Sequence, residues 1–321
     1  MLETQTSGNL IADRRYAYAL AAFEAHDWNA AIDVLEQTLA LVPQFIPAFV
    51  MLARAKLALD PDLSSATRQY VDELLQKALR IDLSDQYGAQ VILSLIERNP
   101  IKQALSPAFV AGLFDQYASR FEQHLTQDLQ YCGPELLLKS LKDACALRDA
   151  ALFFTHVVDV GCGTGLMGAA LKPYAQTIIG CDLSEKMIIK AQEKNIYTHL
   201  DVREMHEYLS ECAHASTDLI IAADVLVYVG DLSPFFELCQ NIIKQDGLVA
   251  FTVQSAPETL LHQYALGSDQ RYVHTRTYLD HVLAKHGFDI LVCEESAVRT
   301  DRNKPVPSCT LVATRNHFIP H

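Results

Sequence analysis

From about Ala12 to Ile96 apolar residues recur three and four positions apart, and no β-branched run is bounded by turn residues, so the first third of the chain reads as all α. From Thr155 onward the pattern changes. Short apolar runs such as THVVDV, QTIIGCD and DLIIAA alternate with stretches of helical period, which predicts an α/β fold with a mostly parallel sheet. Between the two, Pro100, Pro107 and Pro134 divide residues 98–135 into short pieces. One of these, FVAGLFDQYASRFEQHLTQDLQY, places Phe114, Tyr117, Phe121, His124 and Leu125 on a single helical face. The expected organisation is a helical domain over 10–97, a linker with lid-like helices over 98–135 and an α/β domain over 136–315. A chain of 321 residues is long enough for two such cores.

Within the helical part, AYALAAFEAHDWNAAIDVLEQTLALVP puts the small residues Ala19 and Ala31 in the two helices of a hairpin, followed by Leu35, Leu39 and Pro43. The stretch resembles a tetratricopeptide repeat, in which small residues let paired helices approach and a proline ends the second helix. A second pass runs from Pro47, Ala48 and Phe49 through Leu52 and Ala53 and rejoins the pattern at Leu74, Ala78 and Leu79. It carries the insertion DPDLSSATR where the turn between its helices should be tight. Stacked repeats either offer a concave surface to a protein partner or cap a neighbouring domain, and the sequence leaves both open.

Half of the residues are apolar, as in an ordinary globular protein, but the net charge of -13 narrows the partners. A surface this acidic repels phosphate backbones, and no local basic patch offsets it, so nucleic acid is not expected. The eight cysteines form no CxxC pair, and the twelve histidines show no HExxH spacing, so no metal site is expected. The first residues lack a basic region followed by an apolar one, and nowhere do some eighteen apolar residues run on without a charge. The expectation is a cytoplasmic protein with reduced thiols and no membrane partner.

The chemistry is concentrated in THVVDVGCGTGLMGAAL, a strand, a glycine turn and a helix start. Gly161, Gly163 and Gly165 allow positive φ and let a ligand lie against the backbone. Gly163, Gly165 and Gly168 also satisfy the dinucleotide fingerprint, so the glycines alone fit two cofactor classes. Asp159 separates them. A carboxylate at the strand's end would repel a pyrophosphate but favours a sulfonium or an ammonium group, which points to S-adenosylmethionine (SAM) and not NAD. The next strand ends in Asp182, about twenty residues past the turn, where an acid can accept hydrogen bonds from both ribose hydroxyls. The competing role for Asp182, capping the helix SEKMIIKAQEKN, is better met by Ser184. No GxxxxGK[ST] loop for a nucleoside triphosphate is present.

The runs VVDVGCGTG, GCDLSEKMI and DLIIAADVLVYVGDL resemble class I methyltransferase motifs in order and spacing over roughly residues 110–315. With FDQYASRFEQHL and the helical repeats, the chain resembles the bacterial family of predicted methyltransferases that carry tetratricopeptide repeats. The resemblance implies a Rossmann-like domain with a mostly parallel seven-stranded sheet and a C-terminal antiparallel strand, preceded by the tetratricopeptide-like domain. It implies cofactor contacts from Leu183 and Met187 beside Asp182. It also implies that Glu204, at the end of the strand THLDVR, accepts the adenine amino group, with Met205 adding an amide and an apolar wall. Asp201, inside that strand, is the competing acid. Asp224 should face the surroundings of the methyl group with Tyr228 close behind, and Tyr117 should touch the methionine end, where an aromatic face beside a sulfonium is also favourable. GSDQRYVHTRTYLDHVLAKHGF implies Arg271, Tyr272 and His274 on a loop after the fifth strand, and Arg299 with PSCTLVATR implies the final antiparallel hairpin.

These residues predict methyl transfer by in-line displacement, leaving S-adenosylhomocysteine (SAH), in which the protein mainly aligns the nucleophile and excludes water. His124 and His274 are the candidate general bases, and Tyr228 and Arg271 the other candidate catalytic groups. The NPPY-type sequence of amino-methylating DNA enzymes is missing after the fourth strand, which carries ADVLVY instead, so a small-molecule acceptor is favoured over nucleic acid. Two alternatives have other chemistries. One is a repeat protein that binds a partner and holds cofactor without turnover, or methylates that partner. The other is an NAD-dependent oxidoreductase.

Overall fold

The computed structural model describes residues 6–97, 104–123, 125, 129–301 and 304–315. They fall into two compact units whose boundary lies between residues 112 and 113.

The first unit is helical: α1 (Leu10–Glu24), α2 (Trp28–Leu41), α3 (Ile46–Leu59), α4 (Ser65–Ile81) and α5 (Ala89–Glu97). Side chains at the helix starts take up amides that would otherwise lack a partner: Asn9 those of Ile11 and Ala12, Asp27 that of Ala30, and Ser64 that of Thr67. Ala19 and Ala31 are completely buried in the hairpin of α1 and α2, where a larger side chain would hold the backbones apart. The last four residues of the insertion DPDLSSATR are absorbed into a helix. Ser65 already opens α4, so only Asp60–Ser64 remains as the turn. The Asp60 carboxylate organises it, accepting from the Ser64 amide (3.0 Å), the Ser64 hydroxyl (2.6 Å) and the Thr67 hydroxyl (2.6 Å).

Helices α6 (Pro107–Tyr117), α7 (Phe121–Gln123) and α8 (Gly133–Leu147) lead into the second unit, α6 and α8 each carrying a proline in the first turn, where no amide is needed. Then follow β1 (Phe154–Val160), α9 (Leu166–Leu171), β2 (Ala175–Asp182), α10 (Glu185–Glu193), β3 (His199–Val202), α11 (Met205–Glu211), β4 (Thr217–Ala222), α12 (Ser233–Ile242), β5 (Ile243–Ser255), β6 (Tyr264–Leu266), β7 (Tyr272–His274), α13 (Arg276–Lys285), β8 (Phe288–Asp301) and β9 (Lys304–Arg315). Strands β1 to β5 are parallel in the order β3-β2-β1-β4-β5. Strand β9 pairs antiparallel with β5, and β8 with β9.

This is the expected sheet with one addition. The described residues contain nine strands and not seven, because β6 and β7 form a short hairpin that joins the end of β5 at Gln254 and Ser255. Tyr272–His274, expected in a loop, therefore belong to a strand. β5 extends past its pairing with β4 and offers free ladder positions there, which β7 takes up.

Successive residues of the central strands enter opposite cores. Val158, Val160, Ile220, Ala222, Val249 and Phe251 pack with α11, α12 and α13, whereas Val157, Leu219, Ile221, Leu248 and Ala250 pack with α8 and α9. Because β1 lies between β2 and β4, the chain reverses its direction across the sheet there. The turns after β1, β2 and β4 therefore open at one edge, around a crevice. Phe236 sits in the first of these cores with its ring 5.2, 5.3 and 6.0 Å from those of Phe235, Phe251 and Phe288. Phe236→Ala should cost about 3 to 5 kcal/mol, read from denaturant unfolding followed by far-UV circular dichroism; an unchanged midpoint would contradict this packing.

Candidate active site

Strand β1 delivers Asp159 to the edge of the sheet in a setting that hardly reaches water, 1% exposed. One carboxylate oxygen, Oδ2, accepts a 2.7 Å hydrogen bond from the Tyr197 hydroxyl; the other, Oδ1, is buried without any. Burial pushes its pKa up to about 7, which the Tyr197 bond opposes and the neighbouring Asp182 reinforces. The turn that follows has positive φ at Gly161, Gly163 and Gly165. At Gly161 a side chain is excluded twice over, by φ +61° and by Val225, whose Cγ2 would lie 2.5 Å from an added Cβ. At Gly163 the space is open, the nearest atom being Phe121 Cε1 at 3.8 Å.

Asp182 ends β2 and ties that turn down. Its Oδ2 accepts from the Gly163 amide (2.8 Å) and its Oδ1 from the Ser184 amide (2.9 Å). Burial again raises the carboxyl, to about 6, reinforced by Asp115 and opposed by the amides of Ser184, Gly163 and Leu183. Each oxygen accepts one bond of two and so retains capacity for a ligand hydroxyl. Ser184, not Asp182, caps α10, accepting from the Met187 amide at 3.1 Å. Leu183 lies between the two, and the Met187 side chain is buried.

The segment before α8 is fastened to this edge. The Ser184 hydroxyl donates to Asp115 Oδ1 (2.5 Å), the Lys186 amide to the same oxygen (3.2 Å), and Lys194 pairs with Glu122 at 2.5 Å. Above Gly163 the rings of Phe114, Tyr117, Phe121 and Tyr228 meet edge to face, with centroids 5.3 to 6.0 Å apart. The rings cluster as their spacing predicts, but not on one helix: α6 closes at Tyr117, and the chain turns through Ala118–Arg120 before α7, with the Arg120 amide on the Tyr117 carbonyl. His124 lies outside the described residues.

At β3 the acids are engaged by their own surroundings. Glu204 caps α11, its Oε2 accepting from the amides of His206 (2.7 Å) and Glu207 (3.1 Å), while Oε1 meets His206 Nδ1 at 2.8 Å. Burial pushes Glu204 up, but the His206 ring and these amides together hold it below the ordinary value. Asp201 pairs with the exposed His199 at 2.9 Å. Met205 packs into the core beside Tyr208 and Leu209.

After β4, Asp224 adopts φ +60°, uncommon for a residue with a side chain, and its amide donates to the Thr252 hydroxyl at 2.8 Å. Its carboxylate faces Arg271 Nη1 at 3.6 Å. The Arg271 guanidinium lies over the Tyr228 ring, 5.6 Å from its centroid. Arg299, from β8, reaches Asp269 at 3.7 Å and Gln254 Oε1 at 3.4 Å. His274 is turned inward: its Nε2 meets the Gly230 carbonyl at 3.0 Å, its ring stacks on Tyr278, and burial pushes its pKa down to about 4. It is neutral at ordinary pH, and its Nδ1 is buried without a hydrogen bond.

Three participants escape a reading of the sequence. Tyr197 and Asp115 reach their partners from 38 and 69 residues away, and no local pattern marks them. Tyr131 is raised by burial and by the carboxylates of Asp224 and Asp159, which puts its phenol within electrostatic reach of both. Among the described residues no group of three or more His, Cys, Asp or Glu is placed to hold a metal, and no helix is long and apolar enough to cross a membrane.

The two raised carboxyls fix a pH dependence. The folded state holds their protons more tightly than an unfolded chain with the ordinary value of 3.8, so this contribution is fully present below about pH 4 and is lost as pH rises through about 6 and 7. Asp159→Asn cannot ionise, and its thermal midpoint should gain on that of the parent protein between about pH 5 and 8. A difference that stays constant over that range would contradict the burial of Asp159.

Residues 158–251 match the family model described as "Methyltransferase domain". The "Probable S-adenosylmethionine-dependent methyltransferase CRG1" of Saccharomyces cerevisiae is 28% identical over 141 residues, covering 42% of this chain and 48% of that protein. The ubiquinone biosynthesis O-methyltransferase of Salmonella paratyphi A is 28% identical over 108 residues, covering 33% and 45%. The chain thus spans about half the length of these curated relatives. Among solved structures, the [4+2]-cyclase SpnF superposes with a TM-score of 0.50 at 14% identity, covering 68% of this chain and 97% of that one. The magnesium protoporphyrin IX methyltransferase of Synechocystis with bound SAH gives 0.48 at 19%, covering 65% and 99%. With the matched segment running from β1 to β5 across the crevice, the C-terminal part of the chain carries a class I SAM-dependent methyltransferase domain.

Proposed function

We propose that the chain is a SAM-dependent methyltransferase acting on a small-molecule acceptor. The observation that carries this is the pair of buried carboxylates at adjacent strand ends, both with unused acceptor capacity, on either side of an open glycine turn. The residues fit the cofactor. Asp182 would accept from the ribose hydroxyls, and Asp159 Oδ1 would meet the positive methionine end, directly or through water. Leu183 and Met187 would line the ribose side. Glu204 would take the adenine amino group on Oε1, and Met205 would supply an amide and an apolar wall. Tyr117 and its ring cluster would cover the methionine end, and Asp224 would stand near the methyl group.

When bound, the cofactor supplies a methyl group already activated by its cationic sulfur. The protein's part is to orient the acceptor for in-line attack and to keep water out, which the rings of Phe114, Tyr117 and Phe121 serve. His274, held on Gly230 and neutral, is assigned no proton transfer. Tyr228 and Arg271 are placed to position the acceptor. The names of the relatives support a small acceptor, since several are O-methyltransferases of ubiquinone biosynthesis. We read the first unit as tetratricopeptide-like on its buried Ala19 and Ala31, with domains at 10–97, 98–135 and 136–315.

Calorimetry tests the cofactor directly: SAM and SAH should bind, and Asp182→Ala should weaken both by about tenfold or more, since charge-assisted hydrogen bonds contribute about 1.5 to 3 kcal/mol. No binding at millimolar ligand would refute the proposal. Unchanged affinity in the variant would remove Asp182 from the site.

A further inference from the structure

At the ends of β4 and β5 stand two arginines with little access to water. Arg271 reaches in from just before β7, its side chain 18% exposed, and Arg299 from β8, where it is 7% exposed. Burying one guanidinium is costly and burying two together more so, and structural pairs repay that cost with short, bidentate contacts to carboxylates at about 2.7 to 2.9 Å. That is not what surrounds these two. Arg271 Nη1 is fully buried with no hydrogen bond, its nearest carboxylate oxygen being that of Asp224 at 3.6 Å. Arg299 is 3.7 Å from Asp269 and 3.4 Å from Gln254. Each guanidinium carries five donors in a fixed fork; Arg271 spends part of this on the Tyr228 hydroxyl, while its Nη1 has no hydrogen bond and the contacts to Asp224, Asp269 and Gln254 are all long. Burial first, and then the positive charge of Arg271, lower the pKa of Arg299.

We infer that Arg271 and Arg299 form the recognition site for a carboxylate on the methyl acceptor. This rests on the proposed methyl transfer and names the substrate class. The location is right for it, because Asp224 and Tyr228, which Arg271 contacts, follow the strand beside the glycine turn. Asp224 and Asp269 stand 3.6 and 3.7 Å from the two guanidiniums, which leaves room in each fork for a carboxylate at closer range. Tyr228 gives Arg271 a flat support that fixes the plane of its fork.

The test uses the full chain saturated with SAH, titrated calorimetrically with acetate, benzoate and phenylpropanoate and with their neutral amides. At least one acid should bind about tenfold or more tightly than its amide. Arg271→Met and Arg299→Met should each abolish that preference while SAH affinity changes less than about threefold. Acids and amides binding alike, no acid binding, or a preference that survives both substitutions would overturn the inference. So would variants that lose SAH and not the acid, since the anion held there would then be the cofactor's own carboxylate. If either methionine variant fails to fold, the preference in the parent protein and its decline with added salt decide the question. Failure of SAH to bind at all would instead refute the proposed function.

Discussion

The site depends on keeping two carboxylates, Asp159 and Asp182, at neighbouring strand ends where water barely reaches. Left alone, such a pair would favour the protonated form, and burial does drive both pKa values upward, to about 7 and about 6. The surrounding structure limits this with two kinds of donor: the backbone amides of Gly163 and Ser184 for Asp182, and one phenol, that of Tyr197, for Asp159. The result is a pair of acids that burial biases towards the protonated form and that a cationic ligand would draw towards the ionised one. Stability is given up at the place where binding needs an unsatisfied group.

Tyr197 also changes the meaning of the glycines. In the sequence, Gly163, Gly165 and Gly168 satisfy a dinucleotide fingerprint, in which the last glycine allows a helix to pack closely on a strand. Here a Cβ at Gly168 would collide with the Tyr197 hydroxyl, and one at Gly165 or Gly180 would stand 3.0 or 3.2 Å from its ring. The small residues make room for the phenol that holds Asp159. The third glycine of an apparent NAD motif thus supports the carboxylate that argues against NAD.

The parts legible in the sequence are those set by neighbours in the chain. The strand, the glycine turn and Asp182 follow from period and spacing, and Ser184 is recognisable as a helix cap because its partner is three residues on. The parallel sheet and final antiparallel pair follow from the alternation of elements. What could not be read depends on chain segments meeting across the fold. Asp115 and Tyr197 are ordinary residues in their own segments. The β6–β7 hairpin is too short for a two-residue period to announce it, and it is this hairpin that carries His274 into a buried position. The aromatic face of the linker was legible as a face but not as a broken helix, because the turn at Ala118–Arg120 interrupts the period without displacing the rings.

Acidic residues at strand ends are poor evidence for a ligand until their lone pairs are counted. Asp218 is taken by Lys244 and by the His156 amide, so it is structural. Asp201 is paired and open to solvent. Glu204 is the instructive case: Oε2 is filled by two amides of its own helix, and Oε1 has one partner in His206. Any hold on adenine must therefore use the remaining position on Oε1, on an acid already positioned by its capping bonds. Capping, which uses Oε2, and the proposed hold on adenine would then fall on different oxygens. The same count distinguishes the arginines. Arg203 is used up at the surface by Glu211, whereas Arg271 carries a buried nitrogen with nothing bonded to it. Unused hydrogen-bonding capacity in a buried place, and not charge itself, is what separates the groups facing a ligand from those holding the fold.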